Sequence, residues 1–192
     1  WNVERLGAEG RGFGGGYGAG NLPRRTDDQL RAIGRFLRDE VKSSVVALQE
    51  ATINRGIGSR SRSRQLDAIS EEMGDSWRYY LPPARDAHDA NALYVAFLWN
   101  SEIVRAIDLF PVPVPEWELA GNSLFDRTPV VGYFETLQTE EDGNDFLTVN
   151  VHLASGQDND ENHLIAITYI EHVLDRVLAA QRVAESDRIV LG

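Results

Sequence analysis

The sequence contains no cysteine, which excludes a disulfide framework, a thiol nucleophile and a thiolate metal centre. Redox compartment is therefore left open. Long hydrophobic runs are missing as well. The longest, such as 93–99, are the length of a strand, well short of the roughly 20 apolar residues that cross a bilayer as a helix. Lysine is almost missing, since Lys42 is the single one among 19 basic residues. Arginine suits bidentate phosphate contacts, but so uniform a bias points to genome composition more than to one site. There are no repeats, no coiled-coil heptads and no G-K-[ST] of a P-loop. What is present is the composition of an ordinary soluble globular protein, 42% hydrophobic and 26% charged over 192 residues. That length is enough for one domain with a substantial core, or most of a larger one. The chain starts at Trp1 without a Met and in mid-strand by its pattern, which leaves room for a removed leader and for export. Localisation is otherwise unknown.

The net charge of −11 argues against indiscriminate binding to nucleic acid or anionic membranes. Its distribution is uneven. Residues 1–64 hold 12 Arg and Lys against 7 Asp and Glu, whereas residues 65–192 hold 7 against 23. A solvated acidic surface explains this as well as a basic rim for a phosphate-bearing partner does. The stretch 54–64 sharpens the second option, with four arginines and no acid directly after a strand.

The pattern along the chain is that of a sheet-rich α/β protein. A short strand, Trp1 to Leu6, runs into a glycine-rich segment at 10–20. Gly10, Gly12 and Gly15 match G-x-G-x-x-G formally, but the next helix begins at Thr26. No helix N-terminus is then placed to meet a pyrophosphate, so a loop is the better reading. Thr26-Asp27-Asp28-Gln29 is a capping box, opening a helix with Leu30, Ile33, Leu37 and Val41 at helical spacing. Val45 to Gln49 follows as a strand closed by Glu50. This βαβ order implies a parallel pair. Ser63 caps a second helix with Leu66, Ile69 and Met73 inward and Gly74 as its stop. Trp77 to Leu81 is a strand ended by two prolines. Leu93 to Trp99 and Ile103 to Leu109 read as neighbouring strands of a meander, turned at Asn100-Ser101. The segment Phe110 to Asp126 reads as a loop. Val130 to Thr139 and Asp145 to Val151 form a hairpin across an acidic turn. A long helix, about Glu161 to Glu185, carries a stripe of Leu164, Ile167, Ile170, Leu174 and Leu178. Arg188 to Leu191 is one more strand.

Three polar residues share one placement. Asn2, Glu50 and His152 each lie within or at the end of an apolar strand, where a polar group is costly unless paired or liganded. In Thr148-Val149-Asn150-Val151-His152 the alternation sends Val149 and Val151 one way and Asn150 and His152 the other. Strand C-terminal ends are where open α/β sheets bind ligands. One carboxylate with carbonyl and water oxygens suits Mg²⁺, and a nearby His can orient a phosphate or serve as base.

The motifs Trp1-Asn2-Val3-Glu4-Arg5-Leu6, Leu48-Gln49-Glu50, Tyr94 to Trp99, Phe125-Asp126-Arg127-Thr128-Pro129, Asn150-Val151-His152-Leu153 and Asp187 to Gly192 occur in this order. Together they resemble the endonuclease/exonuclease/phosphatase superfamily, the fold of DNase I and exonuclease III, over essentially the whole chain. The resemblance implies an α/β fold, a two-sheet β-sandwich flanked by helices in four layers. Residues 1–192 would be a single incomplete domain. It implies a metal-dependent phosphoesterase, with nuclease-type phosphodiester hydrolysis foremost and nucleic acid or another phosphodiester as substrate. A phosphatase or sphingomyelinase type, or a non-catalytic phosphate-binding module, stands as the alternative. Carried over residue by residue, it makes Glu50 the Mg²⁺ ligand, with Mn²⁺ or Ca²⁺ as substitutes. Asn2 would position the metal shell or the scissile phosphate, and His152 would contact the phosphate or assist proton transfer. Arg127 would support the site, and Tyr94 is carried over beside a plain reading as a strand aromatic. The family's Asp-Phe-Asn after the strand resembling Arg188 to Gly192, and its later Asp-His pair, are not in this sequence. His88, His163 and His172 do not sit in matching contexts. That departure implies a missing C-terminal part, cut just before the second metal-proximal acid.

Overall fold

A computed structural model of the chain describes residues 25–53, 62–83, 93–112, 125–137, 144–153, 160–181 and 188–191. The expected strand at Trp1 to Leu6, the glycine-rich segment and most of the arginine-rich stretch lie outside these residues. Helix α1 (Asp27–Phe36) starts where the sequence places it. The Thr26 hydroxyl accepts from the Gln29 amide, and the Gln29 side chain returns the favour to the Thr26 amide. The helix ends in a π-helical turn, Leu37–Val41, closed by Lys42 in the left-handed conformation at φ 54°. Strand β1 (Val45–Thr52) follows. Ser63 caps helix α2 (Arg64–Met73) through the Leu66 amide, and Gly74 stops it at φ 123°, a conformation that side chains avoid. Strand β2 is Trp77–Tyr80, β3 is Leu93–Asn100 and β4 is Val104–Pro111. Then come β5 (Phe125–Thr136), β6 (Asp145–Leu153), α3 (Asp160–Gln181) and β7 (Arg188–Leu191).

The strands form two sheets, in the orders β1-β3-β2 and β4-β5-β6-β7. Three separate apolar clusters show how they stack. Leu30 of α1, Leu37 of its π-helical turn and Leu66, Ile69 and Met73 of α2 pack on Val46, Leu48, Ala96 and Leu98 of the first sheet. Val95 and Phe97 of that sheet face Val130 and Phe134 of the second. Phe97 and Phe134 meet edge to face at 5.6 Å, an arrangement worth about 1 kcal/mol beyond burial. Leu147, Val149 and Val151 on the far side of the second sheet pack against Ala166, Ile170, Val173 and Leu174 of α3. Helices, sheet, sheet and helix thus make an α/β sandwich of four layers, with β1 to β6 splitting their residues between two clusters by simple alternation. This is the four-layer α/β arrangement that the motifs imply. Helices α1 and α2 can touch only because residue 34 is Gly: a Cβ there would lie 2.8 Å from the Ile69 carbonyl oxygen.

Several expectations change. The β3–β4 connection is not a meander within one sheet. It carries the chain from the first sheet to the second, and its backbone groups are satisfied by both: Asn100 and Ser101 donate to Ser44 and Ser76 carbonyls, while the Ile103 carbonyl accepts from Leu137. The tight turn suggested a hairpin, but Phe97 and Val104 have to lie on facing sheets to close the central core. Among the described residues β1 pairs only with β3, antiparallel, and the parallel partner implied by the βαβ order falls outside them. Strand β5 starts at Phe125, so the Phe-x-Arg-x-Pro stretch lies in a strand and its first residues are not loop. The buried stripe of α3 runs through 166, 170, 173 and 174. Leu164 and Ile167 turn outward, 67% and 50% exposed, because Ala166 and Val173 are the residues that complete a face with Ile170 and Leu174. The β5–β6 hairpin and the strand at Arg188–Leu191, parallel to β6, are where the pattern puts them. Among the described residues no helix is long and apolar enough to cross a membrane.

Candidate active site at the strand ends

Two backbone irregularities at one end of the sandwich build the site. In β1, Leu48 pairs with Ala96 and Ala51 with Tyr94, so Gln49 and Glu50 stand opposite the single residue Val95. This is a β-bulge, a device that re-aims a side chain. Glu50 occupies its left-handed position, φ 61°, which costs a non-glycine residue about 1–2 kcal/mol. In β5, Arg127 pairs with His152 and Val130 with Asn150, leaving Thr128 and Pro129 opposite Val151. Bulged stretches of β1 and β5 thus flank the C-terminal part of β6 from opposite sheets.

The two sheets are tied together here at three successive positions. Asn150 Nδ2 donates to the carbonyl oxygens of Leu48 and Ala96, each at 2.9 Å. Gln49 Nε2 donates to the Val151 carbonyl at 2.5 Å. Glu50 Oε1 lies 3.6 Å from His152 Nε2, with both side chains more than four-fifths buried. Residues 48, 49 and 50 thus meet 150, 151 and 152 in step, although the segments are 102 positions apart. A carboxylate and an imidazole at this distance attract whenever the imidazole is protonated. His152 Nδ1 is buried with no hydrogen-bond partner among the described residues, so the ring keeps one polar atom uncommitted.

The structure therefore brings Glu50, His152 and Arg127 to one strand end. Tyr94 sits at the same end of β3, opposite Ala51, and packs partly against the helix-side core. Asn2 lies outside the described residues. Glu50 is the carboxylate able to offer oxygen to a metal there; among the described residues no three His, Asp or Glu side chains gather as a ligand set. Gln49 and Asn150 are the members that sequence reading misses as a pair. Asn150 stands out as a polar residue in an apolar strand, yet nothing in the sequence shows that its carboxamide spans two strands of the opposite sheet.

No family model and no curated protein matches the sequence. Solved structures do. Humanized D. rerio TDP2 carrying 14 mutations aligns at 14% identity and TM-score 0.47, covering 85% of this chain and 56% of that one. ANGEL2, a 2′,3′-cyclic phosphatase, aligns at 16% identity and TM-score 0.38, covering 65% and 30%. This chain resembles the endonuclease/exonuclease/phosphatase superfamily in its motifs. It spans about half of the first of these structures and less than a third of the second.

Proposed function

We propose that the chain is part of a metal-dependent phosphoesterase of the endonuclease/exonuclease/phosphatase type, acting by hydrolysis of a phosphodiester. The observation that carries this reading is the Glu50–His152 pair: a carboxylate in a strained left-handed bulge, 3.6 Å from an imidazole, both mostly buried at the ends of strands from two sheets. Strain of this kind is kept where a side chain must point a certain way.

The donor chemistry fits Mg²⁺, which takes one or two carboxylates and fills its other positions with water and phosphate oxygens. Glu50 would hold the ion, with Asn2 as the further candidate, and Mn²⁺ or Ca²⁺ would substitute. When bound, the metal supplies neutralisation of charge on the phosphoryl oxygens and leaving group. His152 would contact the phosphate or take the proton of the attacking water during in-line displacement, with its buried Nδ1 available to a partner. Arg127, paired with His152 in the sheet, would bring guanidinium charge to the same strand end and support the phosphate. The arginine-rich residues 54–64 and the basic balance of residues 1–64 favour nucleic acid as the phosphodiester.

A second reading, a phosphate-binding module without turnover, is favoured by the lack of a third His, Asp or Glu gathered with Glu50 and His152 among the described residues. One experiment separates the two. Plasmid DNA, an abasic-site oligonucleotide and bis(p-nitrophenyl) phosphate are incubated with the full-length protein with and without Mg²⁺. The enzyme reading expects Mg²⁺-dependent cleavage that Glu50→Gln lowers by about 100-fold or more. A Glu50→Gln protein as active as the parent removes Glu50 from the mechanism. Binding of inorganic phosphate without any cleavage supports the second reading.

A further inference from the structure

We propose that Gln49 and Asn150 are positioning residues that hold Glu50 in its left-handed bulge facing His152. The inference rests on the reading of Glu50 as the metal-holding carboxylate, but its geometric part is independent of it.

A left-handed residue inside a strand breaks the run of extended backbone around it. At Lys42 the same conformation closes a helical turn, and the Lys42 amide bonds the Leu37 carbonyl five residues back. Glu50 lies within β1, where extended backbone is the lower-energy choice. Ties from the opposite sheet meet the two residues before it. Leu48 and Ala96 are the last regular pair of β1 and β3 before the bulge. Asn150 places both N–H groups of one carboxamide on the carbonyls of that pair, which fixes the point where the bulge begins. Asn150 is 1% exposed, so its donors have no water to turn to. Gln49, the first bulge residue, is held to Val151, and Val151 stands opposite the β5 bulge at 128–129. Glu50 is the next residue along, and its carboxylate meets His152 in the next rung.

The chemistry of these side chains is specific. The two oxygens facing Asn150 are both acceptors, so only a group with two donors on one atom serves there. An Asp of the same shape would set an oxygen against two carbonyl oxygens. The sheets also meet through apolar contacts such as Phe97 on Phe134, which are non-directional and tolerate small slips. The polar rungs define register at the one place where two segments 102 residues apart present a carboxylate and an imidazole to each other.

The test compares Gln49→Met and Asn150→Asp with the parent in the intact protein, by two readouts. The first is the intraresidue Hα–HN NOE of Glu50, strong only for positive φ, with Lys42 as internal reference. The second is Mg²⁺-dependent hydrolysis of bis(p-nitrophenyl) phosphate with kcat and KM separated. In Gln49→Met the Lys42 signal stays, the Glu50 signal weakens and kcat falls about tenfold with KM unchanged, as misplacement of a reacting group does. Asn150→Asp gives the same pattern more strongly; should it fail to fold, Gln49→Met decides. An unchanged Glu50 NOE in folded Gln49→Met overturns the proposal, whether or not kcat falls. So does a weakened NOE with an unchanged kcat in a hydrolysing parent. If the parent hydrolyses nothing, the enzymatic reading fails and the NOE alone still decides the positioning of Glu50.

Discussion

Lys42 and Glu50 share a backbone conformation, at φ 54° and 61°, and arrive at it from different directions. Lys42 ends a helix. Its conformation is part of a local stop signal, its side chain is solvent-exposed, and the bond that closes it reaches back five residues. Glu50 interrupts a strand, is mostly buried, and is surrounded by ties that reach from another sheet. Strain at a helix end is cheap to keep and does nothing beyond stopping the helix. Strain in mid-strand persists only where the surroundings over-determine it, which is why it directs attention to Glu50 and not to Lys42.

Glycine at each position puts the comparison under its greatest stress. Glu50→Gly relieves the backbone strain and removes the carboxylate, so it should leave stability unchanged or raise it by up to about 1 kcal/mol, while Mg²⁺-dependent hydrolysis falls about 100-fold or more. Lys42→Gly should bring a similar gain in stability with activity kept. Denaturant midpoints and kcat measured on the two proteins check both halves. A loss of activity in Lys42→Gly, or its retention in Glu50→Gly, would break the contrast.

A smaller effect should separate the helix layer from the site. Gly34→Ala puts a Cβ 2.8 Å from the Ile69 carbonyl oxygen and 2.9 Å from Glu72 Cβ, so α1 and α2 have to part. The expected cost is about 1–3 kcal/mol in denaturant melts. The protein that remains folded should keep the kcat of the parent, since α1 and α2 touch the far face of the first sheet. A large fall in kcat without a fall in stability would mean that the helix layer also sets the aim of Glu50.

The same division explains what could be read from the sequence. Thr26, Ser63 and Gly74 announce helix ends because a cap is decided within four residues. The β5–β6 hairpin and β7 follow from alternation and turns, which are also local. The sandwich itself is implied by the order of short motifs, and not by any one of them. Where local rules run out, the reading fails in a specific way. Asn100-Ser101 looks like a hairpin turn because nothing nearby shows that β3 and β4 belong to facing sheets. Leu164 and Ile167 look inward because they are apolar, although Ala166 and Val173 fit the surface of the sheet better. Glu50 and His152 are singled out as polar strand ends, but their approach to 3.6 Å is a product of two bulges and a stacking of sheets. Gln49 and Asn150 act through backbone carbonyls, whose positions leave no trace in residue type.

The smallest expected effect tests whether the helix layer is as local as its caps suggest. Tyr79 of β2 donates its hydroxyl to Asp67 at 2.7 Å and accepts from the Ser63 amide at 3.3 Å, so a strand residue helps to seat the first turn of α2. Burial raises its phenol above the ordinary value of 10.0, and the bond to Asp67 adds to this. The folded state therefore holds the phenolic proton more tightly than the unfolded chain does. The stability this contributes is fully present below pH 10 and is lost as pH rises through and beyond it. Tyr79→Phe should cost about 0.5–1 kcal/mol at neutral pH and should flatten part of the fall in stability above pH 10. Part of the slope should persist, because burial also raises Tyr80, with Asp108 contributing. Denaturant melts of the two proteins between pH 7 and pH 11 measure both quantities. Parallel curves across that range would show that the Ser63 cap holds α2 unaided. A steeper loss in the parent above pH 10 would show that even this locally written helix start leans on a strand.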